Sequence, residues 1–137
     1  MEMPAGMQKV YDYLKKSHIF YIATYDGTQA RVRPFGAIAV FEGRIYTQTG
    51  KIKNVYRQMK EVPRIEMCTM GEGGWLRIEA DVVEDDRREA RTAVLDQCPS
   101  LRNMYSEDDG NCTVFYFKNV KATFVQGSKG TGEVIEF

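Results

Sequence analysis

Apolar residues near the start of the chain recur at the spacing of one helical face. Their i, i+3, i+4 and i+7 positions predict an amphipathic helix over residues 7–16. The same spacing predicts a second, short helix over residues 51–60. A third helix is predicted to run from Asp85 or Asp86, either of which can cap its start, to about Gln97.

The other apolar segments are short and rich in β-branched and aromatic residues, which favours strands. Turn pairs such as Asp26-Gly27 and Glu42-Gly43 divide them. The predicted strands cover residues 18–25, 29–35, 37–41, 44–49, 64–70, 75–84, 112–117 and 122–125.

The order of these elements predicts a mainly β fold with inserted helices. Turns of two or three residues join the first four strands, which favours an antiparallel meander. Seven or eight short strands then indicate a closed or partly closed β-barrel, with an open sandwich as the alternative. The glycine-rich tail after Gly127 is expected to be mobile.

Composition narrows the class of protein. A length of 137 residues suits one domain, and the chain has no apolar stretch of the roughly 20 residues that a membrane span needs. Because the start also lacks the features of a secretory signal, we expect a soluble, cytoplasmic protein without a membrane partner. Nineteen basic residues balance nineteen acidic ones, so the net charge does not favour nucleic acid as a partner.

Several kinds of catalytic site are not expected from these residues. The chain has a single histidine, His18, which opens a hydrophobic segment, and three widely spaced cysteines, so we predict no metal site. A serine-hydrolase elbow and a nucleotide-binding glycine motif are also missing. We therefore assign no catalytic side chain and expect any reactive group to be a bound cofactor.

The most specific local pattern is Thr47-Gln48-Thr49-Gly50-Lys51-Ile52-Lys53-Asn54. A predicted strand ends in hydroxyl residues, glycine permits a turn, and a helix begins among lysines. Helix N-termini favour anions and disfavour cations, so lysines there are better explained if a phosphate lies between them. The alternative is a solvated helix start that happens to be basic.

The segment Arg31-Val32-Arg33-Pro34-Phe35 is a second candidate. Alternation along a strand places both arginines on one face, where they can act together. Pro34 lacks an N–H group, so a planar ligand can approach the backbone there. An edge strand protected by arginines and a proline is the alternative.

Trp75 is the third candidate, because it follows a glycine-rich turn and opens a long strand. Its indole can stack on an aromatic cofactor, although a single tryptophan is also common in a core or an interface. Arg77 and Glu79 share its face, which suits a subunit interface or a binding site.

In their order along the chain, these segments resemble the pyridoxamine 5′-phosphate oxidase-like family of FMN-binding split barrels. The resemblance is carried by HIFYIATYDG, RVRPF, IYTQTGKIKN, VPRIEMC and KNVKATFV. It implies a single FMN-binding split-barrel domain over residues 1–137, built on a six-stranded antiparallel barrel. It also implies a homodimer with FMN at the subunit interface.

The resemblance also implies roles for individual residues. Arg31 to Phe35 would line the isoalloxazine, and Lys51 and Lys53 would bind the phosphate. Trp75 would approach the flavin from the other subunit. The full set of implied cofactor-binding residues is Arg31, Val32, Arg33, Pro34, Phe35, Thr47, Gln48, Thr49, Lys51, Lys53, Asn54 and Trp75.

The implied function is an FMN-dependent oxidoreductase that passes electrons from a small reduced donor to a small acceptor. Oxidases of vitamin B6 metabolism carry a C-terminal segment with substrate-binding tryptophan and arginine, whereas this chain ends in KGTGEVIEF. The short chain is more similar to the flavin reductase and nitroimidazole-resistance branches. Alternatives are a non-enzymatic flavin or haem binder that senses redox state, and a barrel that binds single-stranded nucleic acid.

Overall fold

The computed structural model describes residues 3–127 and 131–137. Three α-helices and one 3₁₀ helix occur in this part of the chain, namely α1 (Ala5–Ser17), α2 (Asn54–Glu61), α3 (Arg88–Gln97) and the 3₁₀ helix (Pro99–Asn103). Eight strands accompany them, namely β1 (Phe20–Tyr25), β2 (Ala30–Phe35), β3 (Ala39–Phe41), β4 (Arg44–Gly50), β5 (Arg64–Gly71), β6 (Gly74–Asp85), β7 (Cys112–Gln126) and β8 (Thr131–Glu136). Within the described residues, no helix has both the length and the apolar character needed to cross a membrane.

The predicted apolar stripes bury the helices against the sheet. Val10 and Leu14 of α1 are buried, as are Val55 and Met59 of α2. Helix α1 ends at His18, whose φ of 67° turns the chain toward β1. The three predicted helices are therefore confirmed, with shifts of a few residues at their ends.

Alternation along β1, β5 and β6 separates a buried face from an exposed face of the sheet. Ile22, Met67, Leu76 and Ile78 point inward and belong to one hydrophobic core. Their neighbours in sequence point outward, because successive side chains of a strand lie on opposite faces.

All strand pairs are antiparallel, in the order β2-β1-β5-β6-β7-β4-β3, with β8 paired to β7. The predicted four-strand meander is wrong: β1 pairs with β2 and β3 pairs with β4, but β2 and β3 lie at opposite ends of the strand order. The structure has eight strands rather than the expected six. In the described residues β2 and β3 do not pair, so the sheet is an open, split-barrel-like arrangement rather than a closed one.

Strand β7 is long enough to pair with two strands along the same edge. Its first half pairs with β4 and its second half with β8. The two strands predicted here are one, because the chain continues through Asn119 at a φ of 52°, opposite a register shift between Glu79 and Asp81. The prediction of a mobile tail is wrong for Thr131–Glu136, which forms β8; residues 128–130 lie outside the described part.

The pairing of β6 with β7 requires a glycine at its outer end. A Cβ atom built on Gly74 would lie 2.1 Å from the Val125 carbonyl oxygen, a distance that real contacts do not reach. We expect Gly74→Ala to lower the free energy of unfolding by about 1–3 kcal/mol, because backbone must shift to admit the methyl group. Urea unfolding followed by circular dichroism measures this loss.

Gly36→Ala is the matched control. Its Cβ atom would lie 3.5 Å from the His18 carbonyl oxygen, which is an ordinary contact. Both variants gain the same restriction of the unfolded chain. Equal unfolding midpoints for the two would contradict the close approach at Gly74.

Candidate functional site

A groove lies between β2 and the start of α2. One part of it, which we call the cationic pocket, has a volume of ≈ 590 Å³ and is lined by Asp26, Arg31, Val32, Arg33, Lys53, Asn54, Val55, Arg57 and Gln58. The adjoining pocket has a volume of ≈ 300 Å³ and is lined by Arg33, Pro34, Phe35, Gly36, Ala37, Gln48, Thr49, Lys53, Val55, Cys98, Ser100, Leu101, Met104 and Tyr105. Arg33, Lys53 and Val55 line both pockets, so the two are continuous.

Four cations and one carboxylate line the cationic pocket. The carboxylate, Asp26, accepts hydrogen bonds from the Gln29 N–H at 2.8 Å and the Arg31 Nε at 2.7 Å. These bonds, with those from Thr28, hold the pKa of Asp26 well below its ordinary value. Among the described residues, Arg33, Lys53 and Arg57 have no carboxylate within 4.0 Å, so the pocket carries an excess of positive charge.

Arg33 is half-buried and points toward α2 rather than into solvent. Its register partner on β1 is Ile22, an inward-facing core residue, and Arg31 pairs with the buried Thr24. Both arginines therefore lie on one face of β2, as their alternation predicted. Burial lowers the pKa of Arg33, and the charge of Arg31 lowers it further, but an arginine stays protonated in proteins.

Helix α2 begins at Asn54, three residues later than predicted. The Lys51 and Ile52 N–H groups donate to the backbone and side-chain oxygens of Asn111, at 2.8 and 3.1 Å. The Lys53 N–H donates to the Gly50 carbonyl. These bonds hold residues 51–53 in a turn. At the start of the helix, the N–H groups of Asn54 and Val55 have no partner among the described residues.

The structure places the two lysines of the turn differently. Lys53 lines both pockets. The Lys51 ammonium lies 4.0 Å from an Asp86 carboxylate oxygen and lines neither pocket. Of the two predicted phosphate ligands, one is therefore at the groove and the other beside it.

The remaining predicted residues divide in the same way. Gln48, Thr49, Pro34 and Phe35 line the adjoining pocket. Asn54, Arg31 and Val32 line the cationic pocket, and Arg33 lines both. Thr47 is fully buried and its hydroxyl donates to the Ala37 carbonyl at 2.8 Å, outside both linings. Trp75 also lies outside them, on the exposed face of β6, with the Arg77 guanidinium 4.9 Å from its ring centroid.

No protein-family model matches the chain, and no curated protein sequence matches it. Among solved structures, the chain is similar to a NimC/NimA family protein from Clostridium acetobutylicum, with 39% sequence identity and a TM-score of 0.91. The match covers 96% of this chain and 92% of the other. The chain belongs to the NimC/NimA family.

More distant structures share the fold. A protein from Clostridium acetobutylicum related to general stress protein 26, of the pyridoxinephosphate oxidase family, has 12% identity and a TM-score of 0.71 over 96% of this chain and 92% of that one. A heme binding protein from Mycobacterium smegmatis has 13% identity and a TM-score of 0.69 over 99% of this chain and 60% of that one. The NimC/NimA match and these distant structures together bear out the predicted resemblance, the distant ones for the fold alone.

Two groups of lining residues were missed by the sequence analysis. Arg57 and Gln58 belong to the first turns of α2, and Arg57 follows Lys53 by four residues, a helical spacing that points to the same face. The opposite wall of the adjoining pocket comes from the 3₁₀ helix and the loop after it. No local sequence pattern indicates that wall, because its residues are distant from β2 and β4 in sequence and come to lie opposite them only in the folded chain.

The groove offers no arrangement typical of a metal centre. In residues 3–127 and 131–137, no group of three or more His, Cys, Asp or Glu side chains lies close enough together to hold an ion. His18 lies exposed at the end of α1 and lines neither pocket. What the groove offers instead is a cationic end joined to a largely uncharged end.

Proposed function

We propose that this protein binds FMN in the groove and uses it as an oxidoreductase, passing electrons from a reduced donor to a small acceptor. The observation that carries the proposal is the excess of positive charge in the cationic pocket, at the N-terminus of α2. The phosphate of FMN is a dianion near neutral pH, and it suits this end of the groove.

Three cations and two N–H groups are available to the phosphate. Arg33, Lys53 and Arg57 have no carboxylate partner in the described residues, and the N-cap position of α2 has no side-chain cap. An anion at this position would satisfy the N–H groups of Asn54 and Val55 and would interact favourably with the helix dipole. The residues present therefore fit the phosphate group.

The adjoining pocket suits the isoalloxazine ring. Its volume of ≈ 300 Å³ lies at the lower end for small-molecule sites, and Phe35, Leu101 and Tyr105 supply apolar and aromatic surface. Among the described strands, β2 pairs with β1 only, so alternate backbone groups on its other edge would be free to bond a ring that lies along it. When bound, FMN would supply the hydride and electron chemistry that side chains lack.

The chain's own contribution is to bind and orient the cofactor. Arg33 and Lys53 line both pockets, so they would fix the phosphate end while their charge also acts on the ring end. Val55 is buried where the two pockets join, and it would exclude water from that junction. No side chain is assigned as an acid or a base.

Haem and a non-enzymatic role are the competing hypotheses. One protein of the same fold is described as heme binding, but at 13% identity this likeness shows the fold alone. Haem iron requires an axial ligand, and His18 lies outside both pockets. A flavin carrier or redox sensor would use the same groove without turnover.

Purified protein is expected to be yellow and to release FMN on denaturation, because the cationic pocket selects the phosphorylated flavin. An absorbance spectrum and the mass of the released cofactor test this directly. Haem absorbance, or colourless protein that does not take up added FMN, would overturn the proposal. Anaerobic stopped-flow with NADH and NADPH then separates an enzyme, which reduces its flavin rapidly, from a sensor, which does not.

The different positions of the two lysines give a sharper test. We expect Lys53→Ala to weaken FMN binding by about tenfold or more, since a charge-assisted contact is worth roughly 1.5–3 kcal/mol. Lys51→Ala removes the same charge from the same turn outside the groove and is the control. Fluorescence titration of the apoprotein with FMN and with riboflavin measures both variants, and an equal loss in both lysine variants would contradict the proposed phosphate position.

We also propose that the protein is a homodimer joined through the exposed face of β1, β5 and β6. Tyr21, Tyr25 and Met70 expose 44%, 48% and 70% of their surface on this face, and Trp75 lies beside Met70 in the sheet register. Exposed apolar side chains grouped on one face of a sheet favour a partner surface. Only a second copy would bring Trp75 to a groove that it does not reach within its own chain.

Light scattering of the wild type at micromolar concentration is expected to give the mass of a dimer. Replacing both Tyr21 and Met70 by glutamate should give a monomer, because two charges would be buried at the interface. Lys15→Glu adds a glutamate on the exposed side of α1 and should leave the dimer intact. A monomeric wild type would contradict the proposed interface.

A further inference from the structure

Gln58 holds Arg33 in the groove through a shared oxygen. The Gln58 Oε1 atom accepts a hydrogen bond from the Arg33 Nη2 at 2.8 Å and another from the Thr24 hydroxyl at 2.5 Å. The Thr24 oxygen in turn accepts a bond from the Arg33 Nη1 at 2.8 Å. Gln58 and Thr24 are buried, whereas Arg33 is half-buried and lines both pockets.

In the described part of the chain, every acceptor on the Arg33 guanidinium is electrically neutral. Besides Gln58 and Thr24, the guanidinium donates to the Ile22 carbonyl at 3.0 Å and, at 3.4 Å, to that of Arg31. These bonds fix the position of the side chain without reducing its charge. The charge is therefore left to attract whatever occupies the cationic pocket.

Other arginines of the chain are held in the opposite way. Arg87 is bonded to the carboxylates of Asp85 and Glu42, and Arg102 to those of Asp96 and Glu107. Such pairs neutralise the guanidinium locally and serve the fold. Arg33 is the half-buried exception in the described residues, and it lines both pockets.

We propose that Gln58 is the residue that makes the groove selective for a phosphorylated flavin, by positioning Arg33 with an uncharged acceptor. This inference rests on the proposed function. A carboxylate of the same shape at position 58 would keep the hydrogen bonds and would pair with the guanidinium. The charge that attracts the phosphate would then be cancelled within the protein.

The selectivity of the groove is measured as the ratio of FMN affinity to riboflavin affinity. Riboflavin has the same ring as FMN but lacks the phosphate. General damage to the site would lower the affinity for both flavins, whereas loss of the attracting charge would lower the affinity for FMN alone. For Gln58→Glu we expect the ratio to fall by about tenfold or more, in line with the loss of one charge-assisted contact. For Gln58→Met, which is uncharged but lacks the acceptor, we expect a smaller fall of about threefold, because Arg33 keeps its other bonds.

The control is Gln8→Glu on α1, which adds one negative charge away from both pockets and should keep the wild-type ratio. Fluorescence titration of the apoproteins gives the affinities, and circular dichroism shows whether each variant folds. A wild-type ratio in Gln58→Glu, or an equal fall in both Gln58 variants, would overturn the inference. If Gln58→Glu does not fold, an unchanged ratio in Gln58→Met overturns it. A wild type that binds neither flavin, or both equally, would instead refute the proposed phosphate site itself.

Discussion

The antiparallel pairing of β6 with β7 is the interaction on which the rest of the structure depends. Strands β5, β1 and β2 follow in order from one side of this pair, and β4 and β3 follow from the other. The groove lies between elements from the two sides of this pair. Strand β2 belongs to the side that begins with β5, whereas α2 follows β4 in the chain and contacts β1. The Arg33–Gln58 hydrogen bond joins them across the gap. The geometry of the site is therefore set by a sheet that curls enough to bring its two flanks together without pairing its edge strands.

Electrostatic pairing divides the molecule into a part that serves the fold and a part that is available to a ligand. Around α3 and the 3₁₀ helix, arginines are matched to carboxylates, and Glu84 accepts bonds from Tyr56, Lys60 and Thr113. Beside α2 the cations outnumber the acids. A half-buried guanidinium without a counter-ion costs desolvation energy, so its presence is better explained by a ligand that supplies the missing charge than by stability alone.

Local patterns predicted the elements well and their pairing poorly. The helices of residues 7–16 and 51–60 follow from apolar spacing, and the arginines of β2 share a face because strands alternate. No local pattern predicts that β2 and β3 lie at opposite ends of the sheet, because this depends on β1 pairing with β5, a segment more than forty residues later in the chain. The same reason explains why only part of the candidate site could be predicted from the sequence. Lys53 and Arg33 belong to recognisable motifs, whereas Arg57 and the wall from Leu101 to Tyr105 join them only in three dimensions. Lys51 differs from Lys53 because Asn111, sixty residues away in sequence, fixes the turn.

The two ends of the groove answer different physical demands, and this difference bears on function. The cationic end carries an excess of positive charge, which is supplied by β2 and the start of α2, and under the proposed function it would bind the phosphate of the cofactor. The other end is bounded by Leu101, which lies in the 3₁₀ helix, and by Met104 and Tyr105, which follow that helix; none of these three side chains carries a formal charge. Met104 exposes 73% of its surface, so we expect it to tolerate substitution better than Tyr105, which is buried in a hydrophobic cluster. Under the proposed function, a change at Met104 would alter which small molecule reaches the cofactor and would leave the residues at the phosphate end in place, so specificity for the cofactor and specificity for the substrate would be separable.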